Sequence, residues 1–279
     1  MLNETIRADF ALRTISDDGS FRVLIANTTH TANGILQAQG PDSDLRKLFL
    51  DQITATILLR LTMSPDYRLQ TILQNPHAGS LVVDSIPDGT TRGMLRRPLD
   101  APFSFGEKTH FAVHRAMFGG DLHQGIVETS SHQNLSDVVT GYLHRSEQIS
   151  SVVALAHHFE ETLLIASGGY IIQLLPHSDH ASLALMTARL EQMPPASSLF
   201  QSLDYDLHQI AAELFGPIGY HTLGTDDFHY GCTCSEEKIL DALATLPPAD
   251  IEELKSEEEF LEIGCDYCNT TIRIDPERL

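Results

Sequence analysis

Between about residues 5 and 175 the apolar positions mostly alternate or run together over the length of a strand. The segments FRVLIANTT (21–29), SLVVDSI (80–86), THFAVHRAMF (109–118), QGIVETS (124–130), SVVALAH (151–157), TLLIAS (162–167) and YIIQLLP (170–176) all read this way. Turn signals stand between several of them: Pro87-Asp88-Gly89, Gly119-Gly120-Asp121 and Gly168-Gly169. Each supplies glycine for the positive φ that a tight hairpin wants, so the spacing predicts repeated antiparallel hairpins. Two segments break the strand pattern. Residues 43–62 place Leu45, Leu48, Phe49, Ile53, Ile57, Leu58 and Leu61 at helical spacing with a wide apolar face. Residues 134–149 do the same with Leu135, Val138, Val139, Tyr142 and Leu143. Strands and helices mixed in this order make an α+β domain.

After Pro176 the texture becomes helical. SDHASLALMTARLEQM reads as a helix capped by Ser178 or Asp179 and broken by MPPASS. SLFQSLDYDLHQIAAELFG then puts Leu199, Leu203, Leu207, Ile210 and Leu214 on one face and stops at Gly216. The expected organisation is an α+β core over 1–176, a helical linker over 177–225, and a small third region over 226–279. That last region carries 15 acidic and 4 basic side chains and few large apolar ones. So small a core should not fold stably without a staple.

Composition narrows the function classes. The chain has 279 residues, 42% of them hydrophobic and 20% charged, which is ordinary for a globular protein. With 38 acidic against 18 basic residues the formal charge is -20. Such a surface repels phosphate backbones and has no dense basic stripe, so no nucleic-acid partner is expected. The N-terminal stretch MLNETIRADFALR carries Glu4 and Asp9 where an export signal would place positive charge and then an apolar run. No apolar run approaches the roughly 18 residues of a membrane helix. The expectation is a cytoplasmic protein with no membrane partner, in a compartment that keeps thiols reduced.

The chemistry-bearing residues are cysteines. The chain uses none in its first 231 residues and then places four together, Cys232 and Cys234 in GCTCSEEK and Cys265 and Cys268 in GCDYCNT. Cysteines used only for packing would be scattered. Cys-x-Cys, 30 intervening residues and Cys-x-x-Cys together offer four thiolates, which matches the tetrahedral demand of zinc and would supply the missing folding free energy. The helix signal SEEKILDALATL and the turn LPPAD would fold the chain back so that the pairs meet. A one-residue gap is unusual for a purely structural site, and each pair could close to a disulfide and surrender the metal. An inert zinc staple stands equally open on these grounds.

Other sites are weaker. HHFEE (157–161) has metal-binding residue types but lacks the helical two-histidine spacing of a hydrolytic zinc motif, and a solvated turn is expected there. His221 and His229 lie close in sequence to Cys232, but four cysteines already fill the site. No phosphate-binding glycine fingerprint and no Gly-x-Ser-x-Gly elbow occur. A thiol-disulfide oxidoreductase using Cys265 and Cys268 is the enzyme alternative. Against it, the pair precedes the short strand TTIRI instead of opening a helix, and its surroundings, Glu257 to Glu259, Glu262 and Asp266, are acidic. No catalytic residue is assigned. A constitutive zinc-binding adaptor is the remaining alternative.

The residues CTCSEEK, TLPPADIEEL and GCDYCNT resemble the C-terminal switch of the redox-regulated bacterial holdase known as the thirty-three-kilodalton heat-shock chaperone. Upstream, GSLVVDSIPDGTTRGMLRRP, GYLHRSEQISSVVAL and GGYIIQLLP are similar to segments of the same family in the same order. The resemblance implies an ATP-independent chaperone that is inactive while reduced and zinc-bound. Oxidation by peroxide or hypochlorite would pair Cys265 with Cys268 and then Cys232 with Cys234, expel one zinc per chain, unfold the switch and linker, and uncover a surface for unfolding client proteins. It further implies a homodimer as the active form. The apolar face of the 198–215 helix is a candidate for surface that becomes adhesive once its support is lost, and ordinary core packing explains that face equally.

Overall fold

The computed structural model describes residues 9–41, 43–96, 103, 105–106, 108–117, 119–176, 178–201, 206–257 and 260–279. Two large sheets enclose one helix. The first sheet is built from β1 (Phe10–Ser16), β2 (Phe21–Asn27), β8 (Ser151–Glu160), β9 (Leu163–Leu174) and β10 (Tyr220–Asp227), in the order β10-β1-β2-β9-β8 with every pairing antiparallel. The second contains β3 (Tyr67–Asn75), β4 (Gly79–Ser85), β5 (Thr90–Arg96), β6 (His110–Met117), β7 (Leu122–Glu128) and β11 (His229–Tyr230), in the order β11-β5-β4-β3-β6-β7. Its pairings are antiparallel except β11 with β5, which run parallel. The antiparallel α+β core expected from the pattern is therefore present.

Helix α2 (Ser43–Leu61) packs between the sheets, against β2, β8 and β9 on one side and β3 and β4 on the other. The pattern predicted one apolar face, but Gln52, Thr54 and Thr56 on its other side are buried as well. Most of their polar atoms are paired with neighbouring elements, Gln52 Oε1 being buried without a hydrogen-bond partner. Gln52 Nε2 donates to the Thr71 and Leu81 carbonyls at 3.2 and 3.0 Å, Thr56 shares a hydrogen bond with Thr71 at 2.6 Å, and Thr54 shares one with Thr28 at 2.8 Å. A helix buried all round avoids the cost of unpaired polar groups only through such bonds. Helix α1 (Thr29–Gln39), which lacks an apolar stripe strong enough to read from sequence, starts where Asp9 accepts from the backbone N–H groups of His30 and Thr31 at 3.1 and 2.6 Å. Helix α3 (Leu135–Ser146) begins at an Asn134–Asp137 capping box and covers the end of the core at β7 and β8.

The outer face of the first sheet is covered by α4 (His180–Gln192), the short α5 (Ala196–Leu199) and α6 (Leu207–Phe215). Asp179 caps α4 through the Ser182 N–H at 2.8 Å, and α6 ends at Gly216 with φ 55°. Met186, Phe200, Leu207, Ile210, Leu214 and Phe215 pack against Leu12, Phe21, Val23, Ile25, Tyr170 and Ile172. Leu203 lies outside the described residues. After α6 the chain returns as β10 and pairs with β1, crossing residues 225 and 226 within a strand. No helix among the described residues is long and apolar enough to cross a membrane.

Two sequence expectations need correction. Gly168 and Gly169 do not form a turn: they lie inside β9, opposite Asn27 and Ala26 on one side and Ala156 and Leu155 on the other. Their lack of a side chain serves close approach. A Cβ on Gly168 would stand 2.5 Å from the Ala26 carbonyl oxygen and 2.6 Å from the Phe200 ring, and one on Gly169 2.6 Å from the Ala154 carbonyl oxygen. The turn comes earlier, at Glu161 with φ 54°. Likewise HHFEE is not a solvated turn, because His157 to Glu160 belong to β8 and His157 Nδ1 lies 3.3 Å from Asp51 Oδ1. Gly168→Ala should overpack the β2–β9–α5 contact and cost at least about 1–3 kcal/mol, read as a lower denaturation midpoint.

Candidate metal centre

Each cysteine pair is delivered by a different structural element. Cys232 and Cys234 follow β11, whose parallel register on β5 is held by the His229 N–H on the Gly89 carbonyl and the Gly231 N–H on the Thr91 carbonyl, both 3.1 Å. The Tyr230 ring lies over Gly34 of α1, where a Cβ would stand 2.6 Å from it. Immediately after Cys234, Ser235 caps α7 (Glu236–Leu243) by accepting from the Lys238 N–H at 3.2 Å. Cys265 and Cys268 sit in the knuckle of a small hairpin, β12 (Leu261–Gly264) with β13 (Thr271–Ile274). The knuckle is closed by Cys265 N–H on the Thr270 carbonyl at 3.0 Å and Asn269 N–H on the Cys265 carbonyl at 2.8 Å, with Asn269 in the left-handed region at φ 55°. Helix α8 (Pro248–Glu257) returns the chain from α7 towards this hairpin.

The four sulfur atoms converge, all within 4.8 Å of one another. Cys232 Sγ is 3.6 Å from Cys265 Sγ, and Cys234 Sγ is 3.5 Å from Cys268 Sγ. A tetrahedral site with metal–sulfur bonds near 2.3 Å has edges of about 3.8 Å, so the donor set and its size fit one metal ion. Among the described residues no other group of histidine, cysteine and carboxylate side chains has this closeness. His221 instead approaches Asp17 at 3.4 Å and His229 approaches Thr90 at 3.4 Å.

Electrostatics make the same point. Burial first, then hydrogen bonding with the other three thiols, pushes Cys234 far above the usual thiol range, and burial likewise raises Cys265. At Cys268 burial also pushes upward, but hydrogen bonds from Thr270 and from the thiols of Cys234 and Cys265 outweigh it and bring the pKa down to about 6. Sulfur atoms this close do not ionise together unless a cation offsets their charge.

The groups that sequence reasoning missed are those that seat this cluster on the core. Arg92 of β5 donates from Nη1 to Thr233 Oγ1 at 3.2 Å and lies 4.0 Å from Cys232 Sγ, while its guanidinium stacks 4.1 Å from the centroid of the Tyr267 ring. Gln39 of α1 donates to the carbonyls of Asp266 and Tyr267 at 2.9 and 3.0 Å and accepts the Leu95 N–H at 2.8 Å. Arg96 pairs with Asp266 at 2.6 Å. The contacts to the cysteine region span more than 130 residues of chain, and no local pattern announces them.

Comparison with known proteins agrees with this geometry. The family model described as Hsp33 protein matches residues 9–275. The 33 kDa chaperonin of Streptococcus gordonii is 26% identical, with 97% of each chain covered, and that of Streptococcus pneumoniae is 25% identical over the same shares. The crystal structure of the 33 kDa chaperonin from Thermotoga maritima superimposes with a TM-score of 0.81 at 18% identity, covering 97% of this chain and 96% of that one. With the family model spanning the core, the helices and the cysteine centre alike, the chain belongs to the Hsp33 family of chaperones.

Proposed function

We propose that the protein is an ATP-independent holdase whose client-binding surface is covered while Cys232, Cys234, Cys265 and Cys268 hold zinc, and uncovered when the thiols are oxidised to two disulfides. The observation that carries this is the convergence of all four sulfurs within 4.8 Å at the joint between the core sheet and a region with almost no core of its own. Among the described residues after 227, the buried apolar side chains are Phe228, Leu261, Ile274 and Pro276. Zinc suits a tetrahedral all-sulfur site, and when bound it would keep the four thiolates deprotonated and supply folding free energy to this region.

The chain's own residues do the switching. In each oxidation two thiolates lose two electrons as one S–S bond forms, and one molecule of hydrogen peroxide takes up those electrons and two protons from solvent as its O–O bond breaks to give two waters. Each disulfide removes two of the four donors. We assign the pairs as Cys265–Cys268 and Cys232–Cys234, although in the reduced cluster 3.5 and 3.6 Å contacts run across the two motifs. Once the cluster opens, partners two and three residues apart stay close, whereas the crossed partners are separated by a long loop whose closure costs entropy. By the family resemblance, loss of the 229–234 and 265–269 anchors is followed by undocking of α4 to α6, to which the cysteine region is joined through β10. The apolar sheet face that they cover becomes available to unfolding clients. The family resemblance adds a homodimeric active form, and the cytoplasm, which keeps thiols reduced, is the compartment we assign.

The test is suppression of aggregation of a thermally unfolding client. The reduced, zinc-loaded protein should be inactive, the peroxide-treated protein active, and reductant with zinc should reverse the gain. Equal suppression in both states would favour a constitutive adaptor. Multiple turnover of a small disulfide substrate would move the assignment to an oxidoreductase using Cys265 and Cys268.

A further inference from the structure

Asp84 of β4 is fully buried yet accepts from two arginines. Arg68 binds it with Nε at 2.7 Å and Nη2 at 2.9 Å, and Arg92 with Nε and Nη2 at 3.1 and 3.0 Å. Arg68 alone already supplies a two-pronged partner for this carboxylate, which is the geometry that offsets the cost of burying it. Arg92 is thus surplus to charge neutralisation. Its side chain is only 17% exposed, and its remaining nitrogen and its planar face are turned to the cysteine region. Nη1 reaches Thr233, the residue between Cys232 and Cys234, and the face lies on Tyr267, between Cys265 and Cys268. Tyr267 is itself tied to β3, where Gln70 Nε2 donates to its hydroxyl at 3.3 Å. One guanidinium therefore touches an intervening residue of each cysteine motif while anchored in the core sheet.

We propose that Arg92 is the latch that makes seating of the C-terminal region depend on both cysteine pairs at once, with Asp84 as its anchor and Thr233 and Tyr267 as its two sensors. This rests on the switch described above and adds the residue through which the thiol state reaches the core. Either disulfide must rearrange the short loop that carries its sensor. Breaking either contact leaves a half-buried cation facing a gap, so the remaining contact holds less well. Arg92 is a positioning residue and does not ligate metal.

The test reads amide hydrogen exchange on the reduced, zinc-loaded full chain without oxidant or client, and in separate samples the peroxide dependence of client suppression. Arg92→Met keeps Asp84 paired with Arg68, so the core should fold. Metal content should remain about one ion per chain, while exchange in 229–234 and 261–274 accelerates by about tenfold or more, as opening of a locally held unit becomes easier. Tyr267→Leu should do the same, and the double variant should exceed either single one only slightly, because both remove one interaction. Arg92→Lys should not restore protection, since an ammonium cannot fork to Asp84, reach Thr233 and stack on a ring. Unchanged exchange in Arg92→Met, full protection in Arg92→Lys, additive effects in the double variant, or loss of metal would each overturn the latch. Faster exchange with no response to peroxide would uphold the latch and reject the redox switch. Normal exchange with oxidant-dependent suppression intact would do the reverse.

Discussion

Cys268→Ser should cost the C-terminal region its metal and its fold together, with no oxidant present. A serine hydroxyl is a poor zinc ligand, and three remaining thiolates make a weaker site. Apparent binding free energies of structural zinc sites are about 10–16 kcal/mol, far more than the packing of this region supplies. Helix α7 has no buried residue, and β12 and β13 contribute one buried side chain each, Leu261 and Ile274. The expected result is metal well below one per chain and rapid proteolysis after residue 227, beyond the end of β10, with the core protected. Stoichiometric zinc and full protease resistance would show that Cys268 is not a ligand.

Leu214→Asp should produce a reduced, metal-loaded protein that already suppresses aggregation. Leu214 is fully buried beneath α6 in the cluster with Leu12, Val23 and Ile25. A carboxylate there has to desolvate or expel the helix, and an unpaired buried charge costs several kcal/mol on top of the apolar burial that Leu214 loses from the packed face of α6. Undocking α6 uncovers the sheet face without touching a cysteine. The checks are exchange in 207–215, expected to rise strongly, and client suppression without peroxide. If α6 exchanges freely while the reduced variant stays inactive, the covered sheet face is not where clients bind.

How far the sequence shows this structure depends on how local each cause is. The alternating runs at 21–29, 80–86 and 109–118 became β2, β4 and β6, and Pro87-Asp88-Gly89 is a turn with Gly89 at φ 88°, because period and turn chemistry act over a few residues. The four cysteines were legible from spacing, and their convergence needed only a returning hairpin. Gly168 and Gly169 misled because crowding by Ala26, Ala154 and Phe200, distant in sequence or on another strand, demands glycine as strongly as a turn does. Helix α2 showed one face, since its second face is buried through Gln52, Thr54 and Thr56, whose partners Thr71, Leu81 and Ser167 lie on two sheets. Arg92 carries no motif of its own in this respect: its role follows from Asp84 being buried and from β11 pairing with β5, neither of which is visible along the chain.

The most direct measurement is a peroxide titration of the reduced protein in which released zinc, read with a chromogenic chelator, is followed in the same samples as client aggregation. We expect about one zinc per chain to leave, with suppression rising in step with it and Cys265–Cys268 and Cys232–Cys234 recovered as the disulfides. Zinc leaving with no gain in suppression, or suppression already complete before any zinc leaves, would contradict the switch.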